Sequence, residues 1–210
     1  MQWTVAKEME TTIVGLSGWA QSGKDSTAKV FVEDLGYTKL AFADTLRAVA
    51  RASNPMVHVR GHAPFGGYAT LLHEHMSVEG CYRTDPGGAY EWLKANTTYR
   101  EFLQNLGTAV RDNLGPLAWV DACMHKVAAG GKYVVTDVRF QNEADAIKAR
   151  GGQVWRINRA NHAPANDHIS EHDLDDWNFD RRLSLPNFAD DLPALHRALQ
   201  TLVGAHKVGV

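Results

Sequence analysis

A chain of 210 residues, 44% hydrophobic and 22% charged, suits one globular domain, or one domain with an inserted piece, and needs no disulfide or metal to hold its core. A net charge of −2 excludes bulk attraction to nucleic acid or an anionic membrane and leaves only a local basic cleft for such partners. Cys81 and Cys123 form no Cys-x-x-Cys pair and read as free thiols. The opening MQWTVAKEME lacks the character of a signal peptide, and no apolar run reaches the roughly 18 residues of a membrane helix, so the expected location is the cytoplasm.

In chain order, TTIVGLS (Thr11–Ser17) reads as a buried strand rich in β-branched residues. The loop GWAQSGKDST follows, then a helix that stops at Gly36. YTKLAFA is a second strand and DTLRAVARAS a second helix, with Asp44 placed to cap it. This β-loop-α-β-α run opens a parallel sheet wrapped by helices. From Asn54 to about Tyr90, Gly and Pro punctuation replaces periodicity; the stretch reads as an insertion over the sheet's edge with a short helix near Tyr68–Met76. Helices follow at Tyr99–Gly115 and Pro116–Gly131. Then come a strand (KYVVTDVRF), a helix (QNEADAIKARGG), a strand (QVWRINRA), an irregular polar segment, a strand (FDRRLSL) and a closing helix.

The loop carries the first chemical signal. Gly18 to Lys24 has the Gly-x-x-x-x-Gly-Lys spacing of a phosphate-binding loop, between an apolar strand and a helix, as the mechanism requires. Main-chain amides and the positive helix end would surround a phosphate while Lys24 reaches the outer phosphates. Where the usual pattern has a magnesium-holding Ser or Thr, this chain has Asp25, with Ser26 beside it. A carboxylate can hold magnesium through bound water.

Asp44 and Arg47 lie just past the second strand. They read either as a cap with a solvated arginine, or as an acid near the acceptor group with a cation for an anionic substrate. Asp137 ends an apolar strand, where such proteins keep a magnesium-positioning acid, and Arg139 follows two residues on. Arg100, Arg111 and Arg159 border the insertion or the polar segment, and some of them should converge on phosphate charge. His73-Glu-His75 and His168-x3-His172 have ligand spacing but no cysteine partner, so zinc is disfavoured.

Strung together, GWAQSGKDST, LAFADTLR, REFLQNLGTAVRDNLGPLAWVDA, VVTDVRFQNEADAIKARGGQVWRINR and NDHISEHDLDDWNFD resemble the bacteriophage-type deoxynucleoside monophosphate kinases, from Ile13 to about Leu185. The Lys-Asp form of the loop is a mark of that family. The resemblance implies a single P-loop kinase domain over 1–210, with an acceptor-side insertion at about 54–97 and a polar, lid-like segment at about 160–178. It implies ATP and magnesium, and transfer of the γ-phosphoryl to a deoxynucleoside 5′-monophosphate. A homodimer is an option, and nucleic acid is a partner only under the rival reading below.

Gly18, Gln21, Ser22, Gly23, Lys24, Asp25 and Ser26 would hold ATP phosphates; Asp25 and Asp137 would serve magnesium. Lys24, Asp44, Asp137 and Arg139 would be catalytic, and Arg47, Arg100, Gln104, Thr108, Arg111 and Glu143 would bind substrate. Ser170 and Glu171 would also bind substrate; with Asp167 they match a motif in the polar segment, read as a closing lid or nucleotide-site scaffold. The chain departs from the family at Thr45 and Ala109. Rival readings are a P-loop kinase acting on a hydroxymethylated base in DNA, a phosphomevalonate-type kinase, and a nucleotide-binding module without catalysis.

Overall fold

The computed structural model describes residues 11–60, 75–160, 172–185 and 192–204. Two compact units are distinguished: Met1–Phe42 with Val120–Val210, and Ala43–Trp119. The described elements begin with β1 (Thr12–Ser17), α1 (Lys24–Glu33), β2 (Thr38–Leu40), α2 (Ala43–Ser53), β3 (Met56–His58) and β4 (His75–Ser77). Next come α3 (Val78–Thr84), α4 (Ala89–Asn96), α5 (Tyr99–Leu114), α6 (Ala118–Met124) and β5 (Lys132–Val138). The chain continues through α7 (Gln141–Lys148), β6 (Gln153–Arg159), β7 (Arg181–Leu185) and α8 (Leu192–Gly204).

The first unit is an α/β layer structure of the P-loop kinase-like type. Its five strands are parallel, in the order β2-β5-β1-β6-β7. Both faces are covered, which is why β1 reads as a continuous apolar run rather than an alternating one. On one face Val14, Leu16, Trp155 and Ile157 pack with Ala28 and Phe31 of α1 and Leu199 of α8. On the other, Ile13, Tyr133, Val135 and Val154 meet Cys123 and Met124 of α6, Ile147 of α7, and Leu174 and Phe179. Helix α7 lies close on β1: a Cβ on Gly15 would stand 2.6 Å from Ile147 Cδ1.

Parallel strands put all their C-terminal ends on one edge, where ligands of such sheets bind. Ser17, Asp137 and Arg159 therefore gather there through topology, despite lying far apart in sequence. Along β1 and β5, Gly15 pairs with Val135 but Ser17 with Val138, so β5 carries one extra residue near Asp137. Such a bulge re-aims a side chain at a strand's end.

The second unit has its own core of Ala50, Val57, Val78, Cys81, Ala89, Leu93 and Tyr99. Within it, β3 and β4 pair antiparallel, and α3, α4 and α5 follow. The structure corrects the expectation of an irregular stretch to about Tyr90. Helix α3 and the start of α4 lie there, because short apolar positions too sparse to show a period still meet in one core. Of the helix expected near Tyr68–Met76, residues 68–74 lie outside the described residues, and His75 and Met76 are in strand β4. Helix α2 begins one residue before Asp44, placing that acid in the first turn rather than at the cap. Helix α6 is shorter than Pro116–Gly131: it starts after Gly115, whose φ is 103°, and turns replace it beyond Met124. Among the described residues no helix is long and apolar enough to cross a membrane.

Candidate active site

The loop between β1 and α1 is built on left-handed backbone. Gly18 has φ 148°, Gly23 φ 101°, and Gln21, with a side chain, φ 60°. A Cβ on Gly18 would meet Ile157 O at 2.4 Å and Ser22 Oγ at 2.6 Å, so only glycine fits against β6. Gln21 holds a conformation that costs about 1–3 kcal/mol, of the kind retained at ligand sites. Ser22 N donates to Trp19 O at 3.2 Å, curling the chain back on itself. Gly23 lends α1 no capping side chain, so the amides of its first turn face the loop.

Lys24 is buried to 9% exposure, and its Nζ donates to Gly18 O and Trp19 O, both at 2.6 Å. The ammonium thus spans the loop on two carbonyls, acceptors a phosphate oxygen can replace. Among the described residues, Ser22 Oγ and Trp19 Nε1 are buried with no hydrogen-bond partner. Buried polar atoms are rarely left so without a reason. An orphaned hydroxyl in an amide-lined, glycine-built curl suits the phosphates of a nucleotide. Asp25 points outward, 88% exposed, and its Oδ1 accepts from Lys39 Nζ at 3.2 Å. Its exposure leaves it open to a hydrated magnesium ion, and Lys39 is a neighbour that sequence reading missed.

Asp137 Oδ1 accepts from Phe42 N at 2.7 Å, tying the end of β5 to the exit of β2. Glu143 is buried, and its Oε2 accepts from Arg139 N at 2.7 Å and Phe140 N at 3.1 Å. It therefore shapes the turn that carries Asp137 and Arg139. Burial, with Asp137 nearby, pushes its carboxyl up to about 8 against the pull of those two amides.

The other candidates lie in the second unit. Asp44 Oδ1 accepts from Arg47 at 2.6 Å, and the Arg47 guanidinium stands 5.5 Å from the Tyr90 ring centre. Burial disfavours the Arg47 charge, but Asp44 and Tyr90 outweigh it. On α5, Arg100, Gln104, Thr108 and Arg111 recur at helical spacing, and Arg111 donates to Thr108 Oγ1 at 3.3 Å. The first three are exposed, while Tyr99, Phe102, Leu103 and Leu106 of the same helix pack into the core. Arg159 closes β6 in the first unit. Asp167, Ser170 and Glu171 lie outside the described residues. The described part of the polar segment is fastened to its surroundings. Asp173 accepts from Gln141 N at 2.8 Å at the start of α7, and Leu174 and Phe179 are core residues.

Sequence reasoning also missed Arg156. It is charged yet 6% exposed, in the middle of the apolar strand VWRIN. A lone charge in a strand buried on both faces was the available signal.

A five-stranded parallel sheet whose first strand runs into a glycine-built loop and a buried lysine defines a P-loop kinase-like protein. A family model described as deoxynucleotide monophosphate kinase matches residues 90–183, a span that holds Arg100, Gln104, Thr108, Arg111, Asp137, Arg139 and Glu143 but not the loop itself. A protein of Acanthamoeba polyphaga mimivirus, named "Putative deoxynucleotide monophosphate kinase", is 28% identical over 166 residues, covering 77% of this chain and 81% of that one. The two matches are likenesses, and what they support for this chain is a phosphotransferase.

Proposed function

We propose that this chain transfers the γ-phosphoryl of ATP to a deoxynucleoside 5′-monophosphate, giving the diphosphate and ADP. The observation that carries the reading is the loop: left-handed Gly18 and Gly23, the orphaned Ser22 hydroxyl, and a buried Lys24 whose ammonium rests on the Gly18 and Trp19 carbonyls. Bound ATP would supply the phosphoryl group, and magnesium would screen its charge. The chain's own residues do the rest. Loop amides orient the phosphates, and Lys24 exchanges its carbonyl acceptors for phosphate oxygens. Asp25 and Asp137 are the carboxylates suited to a hydrated magnesium ion. Arg139, beside the turn that Glu143 holds, supplies positive charge where negative charge builds up.

Acceptor recognition is assigned to the second unit. Asp44, already bonded to Arg47, suits an acid that orients or deprotonates the acceptor, and the Arg100–Gln104–Thr108–Arg111 stripe suits a nucleotide's phosphate and polar edge. The test is a panel of deoxynucleoside and ribonucleoside monophosphates and hydroxymethylated DNA, each with ATP and magnesium, followed by ADP release. Turnover on one or more deoxynucleoside monophosphates is expected, with Lys24→Ala at least about a hundredfold slower while still folded. Turnover confined to the polymer, or ATP binding without turnover on any acceptor, overturns the proposal.

A further inference from the structure

The side chain of Arg156 leaves β6 on the face opposite Trp155 and is 7% exposed. Several described groups lie against it. Asp175 Oδ1 accepts from it at 3.2 Å, Ser17 Oγ lies 3.4 Å away, and its guanidinium carbon stands 5.4 Å from the Trp19 ring centre and 5.6 Å from that of Phe179. Asp175 is bridged further, at 2.9 Å, to His172. A buried charge is a costly way to fill a core, and apolar residues of similar volume commonly do as well or better. Its retention here calls for a task that only a charged, planar group performs.

That task follows from what Trp19 does. The Trp19 indole nitrogen is buried without a hydrogen-bond partner among the described residues, so no polar contact of its ring with them sets its position. What faces the ring is the guanidinium, at a distance suited to cation–π attraction. The carbonyls of Trp19 and of its neighbour Gly18 are the two that hold Lys24 Nζ. A chain of contacts thus runs from Asp175 through Arg156 to the Trp19 ring, and through the Trp19 backbone to the lysine. Arg156 also touches Ser17, the last residue before the loop. With two rings and an acid packed against it, it is placed to shape the loop.

We propose that Arg156 is a positioning residue for the phosphate loop: braced by Asp175, it holds the Trp19 ring and so keeps the Gly18 and Trp19 carbonyls, and Lys24 upon them, in the shape that accepts a nucleotide. The proposal rests on the phosphate-loop reading above. Without the brace the loop samples other shapes, and apparent affinity falls by the fraction of time the competent one is lost. Saturating nucleotide restores that shape, so turnover at saturation changes little.

The experiment titrates ATP with magnesium into the full chain by calorimetry, alongside steady-state kinetics. The variants are Arg156→Met, Arg156→Lys, Trp19→Leu, the Arg156→Met/Trp19→Leu double, Asp175→Asn and Lys24→Ala. Arg156→Met is expected to weaken ATP about tenfold and raise its KM alike, with kcat within about threefold of wild type. Arg156→Lys recovers part of the loss, because it keeps the charge over the ring without the planar fork that reaches Asp175 and Ser17 together. The double variant is no weaker than the weaker single, since the arginine acts through the ring. Native ATP affinity in Arg156→Met, a fall in kcat with affinity unchanged, or additive losses in the double each overturn the proposal. Should Arg156→Met fail to fold by circular dichroism, Asp175→Asn decides: about threefold weaker ATP supports the brace and native affinity overturns it. If the wild type itself binds no ATP, the phosphate-loop reading falls and this proposal with it. If the wild type binds, Lys24→Ala does not and Arg156→Met binds as wild type does, this proposal falls alone.

Discussion

Glu143 shows how one buried side chain can serve a site through the backbone. Its carboxyl accepts two main-chain amides at the turn leaving β5, and burial pushes it up to about 8 from an ordinary value of 4.5. The native state therefore binds this proton more tightly than the unfolded chain does. Its contribution to stability is whole below about pH 4.5 and is lost as pH rises through about 8. The melting temperature of the wild type should accordingly drop by several degrees between about pH 6 and 9, and Glu143→Gln, neutral throughout, should flatten that part of the profile. An identical pH dependence in Glu143→Gln would show that the carboxyl does not hold its proton. The motif around Asp137 marked this acid as one of a set. That its visible bonds go to Arg139 N and Phe140 N depended on a turn geometry that residue types alone do not specify.

At the scale of an element, the β1–loop–α1 unit works because left-handed backbone is concentrated in six residues between a strand and a helix. Gly18→Ala puts a Cβ 2.4 Å from Ile157 O, a backbone atom of β6 that cannot swing aside. Ser22 Oγ would also be displaced. The variant should lose at least about tenfold in ATP affinity with a stability cost of about 1–3 kcal/mol, read by calorimetry and thermal melting. Unchanged affinity would mean that the loop tolerates a side chain there and that its curl is not what binds. This element was fully legible in the residues: glycine spacing, lysine and flanking elements all appear in one short stretch. The region from Asn54 to Tyr90 was not, because α3 has seven residues and α4 eight, too few for a helical period to stand out among glycines.

Across the whole molecule, each unit has its own core. Leu93 and Tyr99 are fully buried in the second unit, as Trp155 and Phe31 are in the first, where those two rings meet edge to face at 5.4 Å between centres. Leu93→Ala should cost about 2–5 kcal/mol and lower the melting temperature. ATP titrated well below that transition should bind as in the wild type, since the loop lies in the other unit. Weakened ATP binding by the folded variant would show that the second unit's core also sets the loop's shape.

What the residues determined unaided was local or periodic: the glycine-built loop between its strand and helix, the parallel α/β class, and acids at strand ends. Each of these depends on neighbours in sequence, where glycine conformation, β-branching and helical spacing act directly. What only the tertiary structure decided was which distant groups meet. Sheet order brought Ser17 beside β5 and β6, a bulge fell beside Asp137, and a charge hidden in the apolar strand VWRIN came to rest against Trp19 and Asp175. The reason is physical. Strand pairing and the closing of a core join residues whose sequence separation carries no periodic trace, so a buried arginine acquires its meaning only from the rings and the acid packed around it.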